Sequence, residues 1–120
     1  MDKNDSLRVR GYPEVITGLA DADIRFKGIR AWILQGPQHQ LVFFEMESLA
    51  NVPEHSHDYP QWGVLIEGKM ELTVDGKPRI IEKGDEYLIP AGAKHFARFF
   101  SKTRVMDLFS ETSRYQPKKK

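Results

Sequence analysis

Short apolar runs alternate with turn-forming residues along most of the chain. The runs cover residues 29–34, 41–46, 62–66, 70–74, 79–81, 87–89, 95–100 and 104–109. Between them stand Gly36-Pro37, Val52-Pro53, Gly68-Lys69, Asp75-Gly76, Lys83-Gly84-Asp85, Pro90-Ala91-Gly92 and Ser101-Lys102. These residues set turns through positive φ, fixed proline geometry or local side-chain hydrogen bonds. Runs this short, broken this regularly, predict the strands of an all-β sandwich or small barrel. Asp75-Gly76 predicts a tight hairpin, because both residues tolerate positive φ. Only the stretch 14–20 has the makings of a short helix.

One run carries more than its strand assignment. From Trp62 to Ile66 both alternation sets are apolar, with Gly63 and Leu65 on one face and Trp62, Val64 and Ile66 on the other. A strand on a half-solvated sheet alternates apolar with polar. Both faces are therefore expected to be covered, the second by a chain segment or by another subunit, and a homodimer is expected.

Composition narrows the class. Apolar residues at 40% and charged residues at 29% describe an ordinary globular chain. Its 120 residues suffice for one domain with a core about 24–110, a polar N-terminal segment and a basic tail at Lys118-Lys119-Lys120. The formal charge is +1, with no basic stripe interleaved with aromatics, which argues against nucleic acid and anionic membranes as partners. Cysteine is absent, so disulfides, thiolate metal sites and cysteine nucleophiles are excluded. The first residues carry no apolar signal region, and a cytoplasmic protein is expected.

Three of the four histidines ask for a chemical reason. His55 and His57 are two apart on an extended segment, so their rings point to one side. Gln61 follows in the same parity beyond Asp58-Tyr59-Pro60, and His95 begins another strand after the Pro90-x-Gly92 turn. Imidazole nitrogens and an amide oxygen suit a divalent transition metal, and a set of three or four on rigid strands leaves coordination positions open. The plain alternative is a group of histidines satisfied by ordinary hydrogen bonds. His39 sits between two runs and is expected at a hairpin tip, and Trp62 has the wrong parity to face such a site.

The spacing His55-x-His57-x3-Gln61-x6-Gly68 resembles the first cupin motif, and Gly84-x5-Pro90-x-Gly92-x2-His95 resembles the second. The resemblance implies a double-stranded β-helix, the jelly-roll barrel of cupins. It also implies one divalent metal, Zn, Ni, Mn, Fe or Cu, held by His55, His57, His95 and Gln61. Two positions depart from the usual pattern. Gln61 stands where a glutamate is usual, and Phe99 where an asparagine often follows the second motif. A neutral ligand set leaves the full charge on the metal, which favours Lewis-acid chemistry over oxygenase chemistry. Gln61 is read either as a ligand or as a residue that orients one.

The run from His55 to Gly68 is also similar to that of three-His-plus-Gln cupins that linearise unsaturated monouronates in pectin and alginate breakdown. That resemblance implies a catalytic Asp107, an apolar wall at Phe109 and a substrate-facing Arg114, the last one residue beyond the family spacing. Asp107 is read as general acid/base or, equally, as a strand carboxylate paired with Arg98, Arg104 or solvent. Phe99 and Phe109 are read as pocket wall or plain core. Glu54 and Asp58 are read as turn caps or as carboxylates that orient an imidazole. The leading expectation is a metal-dependent enzyme acting on a small, oxygen-rich anion such as a sugar acid. A ligand-binding or sensor cupin is the alternative, and a metal-dependent dioxygenase the third.

Overall fold

The structure, a computed structural model, describes residues 11–119; the polar segment 1–6 and Lys120 lie outside them. Ten strands form two antiparallel sheets. The first sheet holds β1 (Ala20–Asp21), β2 (Ile29–Gln35), β3 (Gln40–Met46), β10 (Thr103–Phe109), β5 (Gln61–Glu67) and β8 (Glu86–Ile89), in that order. The second holds β4 (Asn51–His55), β9 (His95–Phe99), β6 (Lys69–Val74) and β7 (Lys77–Glu82). The two sheets close over a common core, the jelly-roll barrel that the motif resemblance implies.

All eight apolar runs fall in strands; most carry a buried set at a spacing of two, while on β7 Ile81 alone is buried. In β10 the residues Thr103, Val105, Asp107 and Phe109 are buried, and the residues between them are not. The hairpin at Asp75-Gly76 has φ of 49° and 79°, the left-handed pair that matches strand twist. The expected helix is shorter than 14–20. It spans Glu14–Thr17, and Gly18 ends it; Ala20 instead pairs with Ile33 in β1.

Two strands went unread in the sequence. β1 is two residues long, and β4 contains Pro53 among polar residues. Proline cannot donate to a ladder, so it belongs at sheet edges or bulges. β4 is an edge strand with a register shift between Val52 and His55, and Pro78 sits on β7, the opposite edge. Near the C-terminus the Lys118 and Lys119 side chains are exposed, while the backbone around them is pinned. Lys118 N donates to Asp21 O at 2.8 Å, Asp23 N to Gln116 O at 2.7 Å, and the Gln40 amide is bonded to the Tyr115 backbone. The segment after Phe109 thus lies along the barrel wall, with Tyr115 packed against the core.

The outer face of the first sheet is partly covered. Tyr12 lies edge-on to Trp32 and Phe43, and its hydroxyl donates to Phe44 O and Val105 O. Next to it an apolar row, Leu34, Leu41, Leu108, Trp62 and Leu88, runs in register across five strands. Its ends are open, Leu34 being 48% and Leu88 64% exposed. The second face of β5 is therefore not closed by the described residues. None of the helices among them is long and apolar enough to cross a membrane.

Candidate metal centre

His55 ends β4 and His95 begins β9, and the two are register partners with ring centroids 4.1 Å apart. His57 lies just beyond β4, its backbone carbonyl accepting from Gly92 N at 2.7 Å. That bond ties the Pro90-Ala91-Gly92 turn, with Gly92 at φ 82°, to the histidine segment. Each of the three imidazoles offers a nitrogen within 4.8 Å of the others.

The tautomers are fixed by the backbone. His55 Nδ1 lies 3.0 Å from Pro53 O, His57 Nδ1 2.7 Å from Tyr59 O, and His95 Nδ1 2.9 Å from Ala93 O. A carbonyl can only accept, so each Nδ1 carries the proton and each Nε2 presents a lone pair to the shared space. Glu54 and Asp58 are exposed and orient none of the three. His95 Nε2 is buried with no hydrogen-bond partner. His57 Nε2 and Gln61 Oε1 stand 3.1 Å apart. With Nδ1 donating to Tyr59, these are two acceptors facing each other, an arrangement that a cation satisfies and that neutral groups alone do not. The donor set therefore fits a divalent metal.

Burial lowers the His95 pKa to about 4, helped by the His55 and His57 charges and opposed by the bond to Ala93; burial lowers His55 as well. Both rings are thus deprotonated and ready to ligate at neutral pH. His57 is stacked on Tyr59 at 4.4 Å and 7°, and meets the Phe109 ring edge-on at 6.1 Å.

Behind Gln61 lies a buried polar row that crosses three strands. Asp107 on β10 pairs with Gly63 on β5, which pairs with Tyr87 on β8. The Tyr87 hydroxyl donates to Asp107 Oδ1 at 2.6 Å. A Cβ at residue 63 would overlap both the carboxylate and the tyrosine ring, so only glycine admits this contact. Burial raises the Asp107 pKa from 3.8 to about 6, and hydrogen bonds from Tyr87 and Gln61 moderate the rise. Gln61, two residues before Gly63 on β5, turns its oxygen toward His57. Burial also raises Tyr87 well above its usual value, and the Asp107 charge adds to that.

Asp107, Phe109 and Arg114 all border one cavity of about 460 Å³ with His55, His95 and Gln61. Asp107 makes no contact with Arg98 or Arg104. Arg98 is bonded to Glu71, and Arg104 to Glu45 and Glu67. Arg114 sits over the rings of Tyr115 at 5.1 Å and Phe109 at 5.9 Å, with its Nε buried and unpartnered. Phe99 lines the same cavity from the second sheet. His39 lies between β2 and β3, and Trp62 faces outward, as their positions in the sequence predict. Tyr87 and Tyr115 were not legible as cavity residues. Tyr87 reads as core, though its parity with the apolar face of β8 and the glycine opposite were available signals.

Fold and site define a jelly-roll barrel with a three-histidine centre fit for a metal ion. The chain belongs to the cupins, residues 42–109 matching the cupin domain family. It is 41% identical over 56 residues to quercetin 2,3-dioxygenase of Bacillus subtilis (strain 168), a match that covers 45% of this chain and 17% of that protein. Among solved structures it resembles an RmlC-like cupin from Shewanella frigidimarina NCIMB 400, with TM-score 0.75 and 22% identity over 87% of this chain and 91% of the other. It also resembles KdgF from Halomonas sp., with TM-score 0.70 and 24% identity over 86% of this chain and 90% of the other.

Proposed function

We propose that this cupin is a metal-dependent enzyme of isomerase or lyase type, acting on a small carboxylate-bearing molecule whose oxygens chelate the metal. The observation that carries this reading is the convergence of three backbone-fixed imidazole Nε2 atoms and the Gln61 oxygen beside the buried carboxyl of Asp107, its pKa raised to about 6. His55, His57, His95 and Gln61 would hold the ion. A bound divalent metal supplies Lewis acidity toward a carbonyl or enol oxygen. Asp107, its pKa raised to about 6, is largely ionised at pH 7 and can take a proton from substrate carbon or oxygen and return it. Phe109 meets the His57 ring edge-on and limits water on that side. Arg114, whose Nε lacks a partner, is suited to a substrate carboxylate. The uronate-linearising cupins that the sequence resembles provide the first substrate to assay.

A second reading is a ligand-binding cupin with the same metal. It is favoured by the commitment of Asp107 to an internal donor, the Tyr87 hydroxyl, as in a purely structural carboxylate. The dioxygenase reading draws on the segment shared with quercetin 2,3-dioxygenase; against it, four neutral ligands give little support to a higher oxidation state. A homodimer through the apolar outer row of β2, β3, β10, β5 and β8 completes the proposal.

The decisive experiment is metal content by elemental analysis of untagged protein, beside His95→Ala. About one equivalent, mostly lost in the variant, supports the metal-dependent reading. Protein that takes up none of the candidate ions on soaking contradicts it. With metal present, loss of turnover in Asp107→Asn at unchanged ligand affinity separates enzyme from binder.

A further inference from the structure

The cavity that starts at the histidines has two chemically different ends, and strand register gives its layers. On the first sheet the inward positions run from Gln61 and Phe109, through Asp107 and Tyr87, to Phe44 and Val105, and then to Met46. On the second they run from His55 and His95, through Leu72 and Ala97, to Met70 and Phe99. Beyond the layer of Asp107 and Leu72, every one of these cavity-lining positions is apolar. Of the polar side chains that border the rest of the cavity, Ser56 sits between His55 and His57, Tyr115 packs between Phe44 and Phe109, and Asp23 is exposed and already paired with Arg25 at 3.5 Å. Among the described residues Arg114 is the one cationic side chain on the wall.

We infer that the site takes a carboxylate carried on an apolar body, an aryl or branched-alkyl group, in preference to a polyhydroxylated acid. The carboxylate lies with Arg114 near the histidines, and the body fills the end formed by Phe44, Met46, Leu72 and Phe99. This rests on the reading of the cavity as the substrate site, and it narrows the substrate class within that reading. A hydroxyl placed among Met46, Met70, Leu72 and Phe99 meets no polar side chain. Each such unmet group weakens binding roughly ten- to a hundred-fold, whereas each methylene buried there tightens it about fourfold. The same cavity therefore discriminates against a sugar acid by its walls, whatever happens at the metal.

The test is calorimetric binding of three probes, propanoate, 3-phenylpropanoate and D-galacturonate, to the full chain with its metal content measured, and again after chelation. The expected result in both forms is 3-phenylpropanoate binding at least tenfold tighter than either of the others. Arg114→Met is expected to weaken 3-phenylpropanoate about tenfold. Galacturonate binding as tightly as 3-phenylpropanoate, propanoate matching it, or no binding of any probe at millimolar concentration would overturn the inference. Absence of metal uptake would sink the metal-dependent enzyme and leave the probe comparison in the chelated protein to decide this point separately.

Discussion

Tyr87 donates to Asp107 across the backbone of Gly63, three residues of one cross-strand row joined by a 2.6 Å hydrogen bond. The missing side chain in the middle strand lets two residues on non-adjacent strands touch. Gln61 stands two residues from Gly63 on β5 and extends this row toward His57.

Gly63→Ala should therefore be far more damaging than its size suggests. The added methyl overlaps both Asp107 and the Tyr87 ring, and overpacking of this kind costs about 1–3 kcal/mol or more. Tyr87→Phe keeps the ring and removes only the hydroxyl, a loss of about 1.5–3 kcal/mol for a bond to a charged acceptor. Urea unfolding of both variants checks this, and a wild-type midpoint for Gly63→Ala would refute the packed row.

The glycines at Gly68 and Gly76 make a controlled contrast. Both have positive φ, 95° and 79°. At Gly76 nothing lies within 4 Å of an added methyl, so Gly76→Ala should lose about 1 kcal/mol from backbone conformation alone. At Gly68 the methyl would run into Lys102 O and Thr103, so Gly68→Ala should lose clearly more. Equal unfolding midpoints would contradict the close approach of β5 and β10 at that turn.

In metal-free protein, acid should act through two opposed groups. His95, with its pKa lowered from 6.5 to about 4, and His55, also lowered, bind protons less readily folded than unfolded. Stability from them is complete above about pH 6.5 and is lost as pH falls toward 4. Asp107, raised from 3.8 to about 6, contributes fully below 3.8, and its contribution is lost as pH rises through 6. Asp107→Asn removes the second effect, so its stability should fall more steeply than wild type between pH 6 and 4. Urea unfolding after chelation over that range measures the slopes, and parallel slopes would count against a raised Asp107.

The outer row predicts self-association. Leu88→Glu places a charge at an exposed end of that row and leaves the core untouched. Light scattering at micromolar concentration should give twice the chain mass for wild type and the single-chain mass for the variant. A monomeric wild type would rule the dimer out.

Much of the architecture was legible because turn chemistry and alternation agree at each run; the strand at 104–109, for example, alternates buried and partly exposed residues without interruption. β4 was illegible for a physical reason, since Pro53 and its polar neighbours form an edge whose pairing comes from β9 alone. The three histidines and Gln61 could be grouped from parity and spacing. Their orientation could not, because it is set by the carbonyls of Pro53, Tyr59 and Ala93, and a backbone carbonyl leaves no mark in composition. Tyr115 was equally hidden, since it reaches the cavity because the segment after Phe109 folds back onto Asp21 and Asp23.

The position of His55 has a kinetic consequence. It ends a bulged edge strand with one neighbour, while Gln61 opens a strand of the opposite sheet. An ion shared by the two would clasp the most loosely paired strand of the second sheet to the first. Amide exchange and protease nicking at residues 51–60 would then slow with occupancy, so the fraying of an outer edge would report what is held at the centre of the barrel.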